Sequence, residues 1–200
     1  MIKVRFAAAL PEGSHCVVVL VPKDALAATA VPGDATLIRA AAAASRFEGE
    51  AGAVSEHHVA HASGAQRLLL IGVGQSSEED FEKAGAAISA RLLTSGETQV
   101  AVDLAGLAIK PSAKAVARLA AGAVLRGWRY DTYRTKLSEK QKPTLAEVII
   151  VGAPEGIEGA WAHQSAIVEG VSLTRELVTE PANIIYPATF VERCARLKEF

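Results

Sequence analysis

Cysteine is nearly absent from this chain: Cys16 and Cys194 are the two in 200 residues. That excludes a disulfide framework. Cys16 sits in an apolar run and Cys194 on an apolar helical stripe, so both read as reduced core thiols, which points to a cytoplasmic address. No apolar run approaches the roughly 18 residues of a membrane span. The opening Met1–Phe6 alternates like a strand and has no signal-peptide core. An excess of either charge is missing too. With 21 basic and 22 acidic residues the net charge is −1, so the molecule as a whole is not built to attract nucleic acid or anionic lipid.

Familiar catalytic patterns are lacking as well. There is no serine in a Gly-x-Ser-x-Gly turn and no cysteine with a plausible histidine partner. Asp103 is the one carboxylate near the carboxyl end of a clear strand, and two-metal or acid–base chemistry needs several converging there. Gly72-Val73-Gly74 follows a strand and precedes a helix, where a dinucleotide fingerprint sits, but the third glycine position holds Ser77. Gly72, Gly74, Ser76 and Ser77 are therefore at most a weak anion site at a helix N-terminus, and a tight strand-to-helix turn is the favoured reading. Glu56-His57-His58-Val59-Ala60-His61 lacks the glutamate placement of the zinc-protease helix. On a strand it would split His57 and His61 from His58, so surface histidines are expected in place of a metal site. Arg126-Gly127-Trp128-Arg129-Tyr130-Asp131-Thr132-Tyr133-Arg134, continuing through Lys136 to Lys140 and Lys142, interleaves aromatics with base. Such a segment suits stacking on nucleic acid. The preferred alternative has Trp128, Tyr130 and Tyr133 packing a surface loop while the bases face water.

What is present is a regular α/β rhythm. Residues 2–6 and 16–21 read as strands, and Pro32-Gly33-Asp34 opens a helix through the alanine run 40–44. A further strand is expected at 52–60. Arg67–Gly74 reads as a buried strand, apolar on both faces as central parallel strands are. A helix follows, with Ser76 and Glu79 at capping-box spacing and Phe81, Ala84, Ile88 and Leu92 on one stripe. Next come a strand at 98–104, a helix capped by Ser112 and a strand at 147–151. This order predicts right-handed crossovers onto a mostly parallel sheet, with the N-terminal strands extending it as a mixed sheet. Residues 1–152 are expected to form one α/β domain that closes its own core. Gly156–Val178 then reads as one long helix stopped by Pro181. Pro187 lies near the start of an amphipathic helix carrying Phe190, Val191, Cys194 and Leu197. That helix runs to Phe200 on an unfinished apolar stripe, so a continuation of the chain is expected.

The stretch Val168-Glu169-Gly170-Val171-Ser172-Leu173-Thr174-Arg175-Glu176-Leu177-Val178-Thr179-Glu180-Pro181-Ala182-Asn183-Ile184-Ile185-Tyr186-Pro187 resembles the junction segment of the leucyl aminopeptidase (cytosol aminopeptidase) family. In that family a long helix and a Pro-x-Asn motif lead from the N-terminal domain into the catalytic domain. Glu176 stands where Asp is common, and Thr179 where Asn is common. Leu68–Gly74 resembles the family's Leu-Leu-x-Gly-Leu-Gly strand, and Trp128–Tyr133 its aromatic segment before a Lys-rich loop. The resemblance implies a macro-domain-like, three-layer α/β fold for residues 1–152, a connecting helix over 153–180 and the start of a catalytic domain at 181–200. It further implies a hexameric, cytoplasmic metallo-exopeptidase acting on peptides, in which two divalent ions, zinc or manganese, activate the attacking water. The family's Asn-Thr-Asp-Ala-Glu-Gly-Arg signature and its metal-binding lysine segment are absent from these 200 residues, so no catalytic or metal residue is assigned. The alternative is a free-standing macro-type module binding a nucleotide phosphate through the Gly72–Ser77 turn.

Overall fold

The computed structural model describes residues 1–11, 13, 16–62, 64–107 and 110–195; the expectation for Leu197 lies outside them. The element order is β1 (Lys3–Ala7), β2 (Cys16–Val21), α1 (Ala35–Ala44), β3 (Val54–His61), β4 (Gly64–Gly72), α2 (Glu78–Leu92), β5 (Gln99–Asp103), α3 (Ala113–Gly127), β6 (Glu147–Val151), α4 (Ile157–Thr179) and α5 (Pro187–Ala195). Six strands form one sheet in the order β1-β6-β5-β2-β4-β3. Every pairing is parallel except β3 with β4. The sheet is mixed and mostly parallel, as expected, but the source of the mixing differs. The N-terminal β2 lies between β5 and β4 near the centre, and the antiparallel member is the edge strand β3. All six residues of β2 are buried, the pattern of a strand covered on both faces.

Two hydrophobic layers flank the sheet. Val18, Leu20, Leu69, Ile71, Val102 and Ile150 face α2, α3 and α4, whereas Val19, Val21, Leu68 and Leu70 face α1 and Phe47. Alternation along each strand divides its side chains between these layers. Cys16 is buried in the larger one, and burial pushes its thiol up to about 12. Cys194 is only half-buried and lies on a helix without a buried residue. Its reading as a core thiol therefore fails.

The α2–α3 pair is unusually close. A Cβ on Gly85 would lie 1.9 Å from the carbonyl oxygen of Leu119, and one on Gly122 would lie 2.0 Å from that of Glu82. The buried Ser89 hydroxyl donates to Ala123 O at 2.6 Å across the same contact. Only small residues permit two helix backbones to approach this far.

The cap of α2 sits one residue later than its spacing implied. Ser76 has φ of 62°, and Ser77 is the N-cap, sharing a capping box with Asp80. A residue in the left-handed region cannot be the extended N-cap, so the box moves to the next serine. Ser112 caps α3 as expected.

The long helix α4 packs along α3. Val168, Ala121 and Val124 form a buried cluster joined by Val4, Leu125 and Trp161, and Phe6 meets Trp161 edge-on at 6.4 Å. Ile157 closes the larger core from the start of α4. Residues 1–152 thus share their core with the helix that follows.

Candidate functional site

The residues singled out in the sequence do not converge. At the Gly72–Ser77 turn, Asp80 Oδ2 accepts the amides of Gln75 and Ser77 at 3.1 and 3.3 Å. An anion arriving there meets a carboxylate already seated on these donors. The glycines are explained by backbone contact with the 49–53 loop. A Cβ on Gly72 would lie 2.0 Å from Glu50 O, and Gly72 and Gly74 donate to Ala53 O and Gly49 O at 2.9 Å each. Sequence spacing held no sign of this bracing, because it depends on a loop from the other side of β3.

The histidine strand divides as alternation demands. His57 shares the parity of the buried Ser55 and Val59, and its Nε2 is 2.9 Å from the Ser55 hydroxyl. Burial lowers the His57 pKa, and the Glu56 charge opposes that shift. A depressed histidine pKa penalises the folded state as pH falls below the unfolded value of ~6.5. Glu56 on the opposite face accepts from Arg67 Nε at 2.7 Å and pairs with Arg91 of α2. Burial pushes this carboxyl up, but the two guanidinium hydrogen bonds outweigh it and hold it below its usual range. Its stabilising contribution is present above the unfolded pKa and is lost as pH falls through the folded one. No group of three or more His, Cys, Asp and Glu side chains among the described residues is placed to hold a metal ion. Replacing His57, His58 and His61 together by glutamine is expected to leave the thermal midpoint insensitive to chelator, as in the unmodified chain. A chelator-induced drop that disappears in the triple variant would show a metal site.

In the basic segment 126–142 the aromatics and Arg129 are engaged by the protein itself. Trp128 stacks on Tyr130 at 6.3 Å, and Tyr130 meets Tyr133 edge-on at 5.9 Å. Arg129 pairs with Asp131 at 2.7 Å and donates to Gln141 O, so it does not face water as the loop reading supposed. Lys142 pairs with Glu139.

The aromatics instead brace the α4–α5 junction. Arg175 lies 5.8 Å over the Trp128 ring and donates to Leu125 O at 2.7 Å, placing a cation at the carboxyl-terminal turn of α3. Tyr133 donates its hydroxyl to Glu180 Oε1 at 3.0 Å. Glu180, the C-cap of α4, is buried. Arg193 of α5 reaches both Glu176 and Glu180, while Glu180 Oε2 is buried with no partner among the described residues. Beside this cluster Leu177, Ile185, Tyr186, Pro187, Phe190 and Val191 line an apolar groove. Val178 and Val191 are 81% and 65% exposed. Apolar side chains thus gather, partly exposed, around a buried and incompletely paired carboxylate.

Fold and site together define an α/β domain with helices on both faces of a mixed, mostly parallel sheet, whose last two helices leave apolar side chains exposed. Residues 17–137 match the model of the cytosol aminopeptidase family, N-terminal domain, and the chain belongs to that family. A probable cytosol aminopeptidase of Rhodopseudomonas palustris is 38% identical over 167 residues, covering 81% of this chain and 33% of the relative. One from Bradyrhizobium sp. is 36% identical over 175 residues, covering 85% and 35%. This chain therefore spans about a third of the length of these relatives. Among solved structures, a tomato leucine aminopeptidase mutant shares the fold over the whole chain and 42% of its own length, with TM-score 0.78 and 23% identity. The bottromycin maturation enzyme BotP in complex with Mn covers 94% of this chain and 36% of its own, with TM-score 0.69 and 26% identity. No helix among the described residues is long and apolar enough to cross a membrane.

Proposed function

We propose that this chain is the N-terminal portion of a cytoplasmic, two-metal aminopeptidase that removes N-terminal residues from peptides, and that its own role is structural. The observation that carries the reading is the family match over 17–137 in a chain spanning a third of its relatives. On this reading residues 1–152 are the N-terminal domain, 153–180 the connecting helix and 181–200 the entry to a catalytic domain, and the α4–α5 surface packs against that domain. The assembly is a hexamer, and zinc or manganese supplies the Lewis acidity. The described carboxylates do not fit such a centre. Glu56, Glu82, Asp131 and Glu147 are each held by arginine on separate parts of the surface.

The test has two arms. The purified 200-residue chain is expected to release no leucine from a leucyl anilide with added Mn²⁺ or Zn²⁺, because no cluster of metal-ligating side chains forms among its described residues. Residues 1–200 grafted in place of the first third of the Rhodopseudomonas relative are expected to give an active enzyme. Metal-dependent release by the chain alone, or a folded but inactive graft, sinks the proposal.

A further inference from the structure

Two neighbouring strands of the sheet send their connections to opposite faces. The chain leaving β2 reaches α1 on one face, and the chain leaving β5 reaches α3 on the other. On the α1 face a cleft of about 500 Å³ opens over the sheet at Val17, Val19 and Gln66, bounded by the 30–32 and 105–106 segments, within the size range of small-molecule sites. Val17, Val19 and Val31 form apolar wall, and the amide of the buried Gln66 adds a polar group.

Charge decides what such a cleft would take. Asp103, at the end of β5, is the one formally charged side chain among the described lining residues, and neither lysine nor arginine joins it. Its Oδ1 accepts the Ala105 amide at 2.8 Å, which fixes the carboxylate while Oδ2 has no protein partner among the described residues. A phosphate or carboxylate ligand would meet negative potential, with His61 the one other titratable side chain in the described lining. A donor-bearing cation would find a fixed acceptor above an apolar wall.

We propose that this cleft is a binding site for small aliphatic primary ammonium compounds, with the ammonium on Asp103 Oδ2 and the hydrocarbon against Val17, Val19 and Val31. The site is separate from the α4–α5 surface and does not depend on the aminopeptidase reading. Simple amines and aminoacyl amides share this chemistry.

Isopentylamine, isopentanol and isovalerate share five carbons and an isobutyl group under a cationic, neutral and anionic head, and amide chemical-shift titration of the 200-residue chain compares them. A probe of six heavy atoms is expected to bind at about 1–10 mM. Isopentylamine is expected to shift Val19, Val31 and Asp103, and to bind at least about tenfold more tightly than isovalerate. Asp103→Asn keeps an acceptor for the Ala105 amide and is expected to weaken the amine about tenfold while leaving isopentanol unchanged. L-leucinamide in the same titration separates the two sources: tighter binding than isopentylamine assigns the site to aminoacyl ammonium, weaker binding to simple amines. No shifts up to about 20 mM, shifts mapping away from the cleft, isovalerate binding as tightly as the amine, or an Asp103→Asn chain that binds the amine unchanged each overturns the proposal. Should that variant fail to fold, the head-group comparison and shift map on the unmodified chain decide.

Discussion

Replacing Gly85 by alanine is expected to lower the unfolding midpoint by about 6–12 °C, and Gly122→Ala by a similar amount. Each new methyl would fall within about 2 Å of a backbone carbonyl oxygen of the partner helix, and no rotamer change can move a carbonyl. The helices must separate, which costs about 3 kcal/mol for overpacking at a rigid contact. For a chain of this size each kcal/mol moves the midpoint by about 2–4 °C. Separation also stretches the Ser89–Ala123 hydrogen bond. The same substitution at Gly159 or Gly170 supplies the control. Both lie in α4 with nothing within 4 Å of the added carbon, so alanine there is expected to raise stability by about 0.5–1 kcal/mol through helix propensity. Thermal unfolding of the four variants checks this. Equal and small effects at all four positions would mean that α2 and α3 do not meet backbone to backbone.

Ending the chain at Gly152 is expected to abolish a sharp unfolding transition, whereas ending it at Glu180 preserves one. The shorter chain loses Ile157 and Val168, which are 8% and 2% exposed, together with Trp161 against Phe6. At about 1.5–3 kcal/mol for each buried apolar side chain, the loss is about 4.5–9 kcal/mol, comparable to the whole stability of an ordinary domain. It also uncovers Ala121 and Val124 and removes Arg175 from the end of α3. Calorimetry with a dye that reports exposed apolar surface compares the two lengths. A cooperative, dye-silent 1–152 chain would show that α4 adds nothing to the core.

Local pattern carried much of the architecture. The apolar runs of β2, β4 and β6, Asp34 and Ser112 as caps, and the proline after α4 placed most elements to within a few residues. Each of these signals lies within a single element, where side-chain period and capping chemistry act. The junction motif around Pro181 likewise carried the family resemblance. Reading Ser76 as the cap failed by one position, because two adjacent serines compete and the left-handed φ of Ser76 is imposed by the turn that precedes it.

Strand order, by contrast, is decided by which faces can be covered in three dimensions. The unbroken apolar run Cys16–Val21 marks a strand covered on both faces, but nothing local to it names β5 and β4 as its neighbours. The need for Gly85, Gly122 and Gly72 arises from carbonyls 34, 40 and 22 residues away in sequence. Arg175 and Glu180 acquire their partners Trp128, Leu125 and Tyr133 only once α4 lies on α3. The cleft around Asp103 exists because β2 and β5 become neighbours and the 30–32 segment comes to lie beside the 105–106 turn. By itself the sequence determined what each segment is, through periodicity, caps and one motif. The tertiary structure alone decided which segments touch, since close approach and shared burial are properties of pairs distant in the chain.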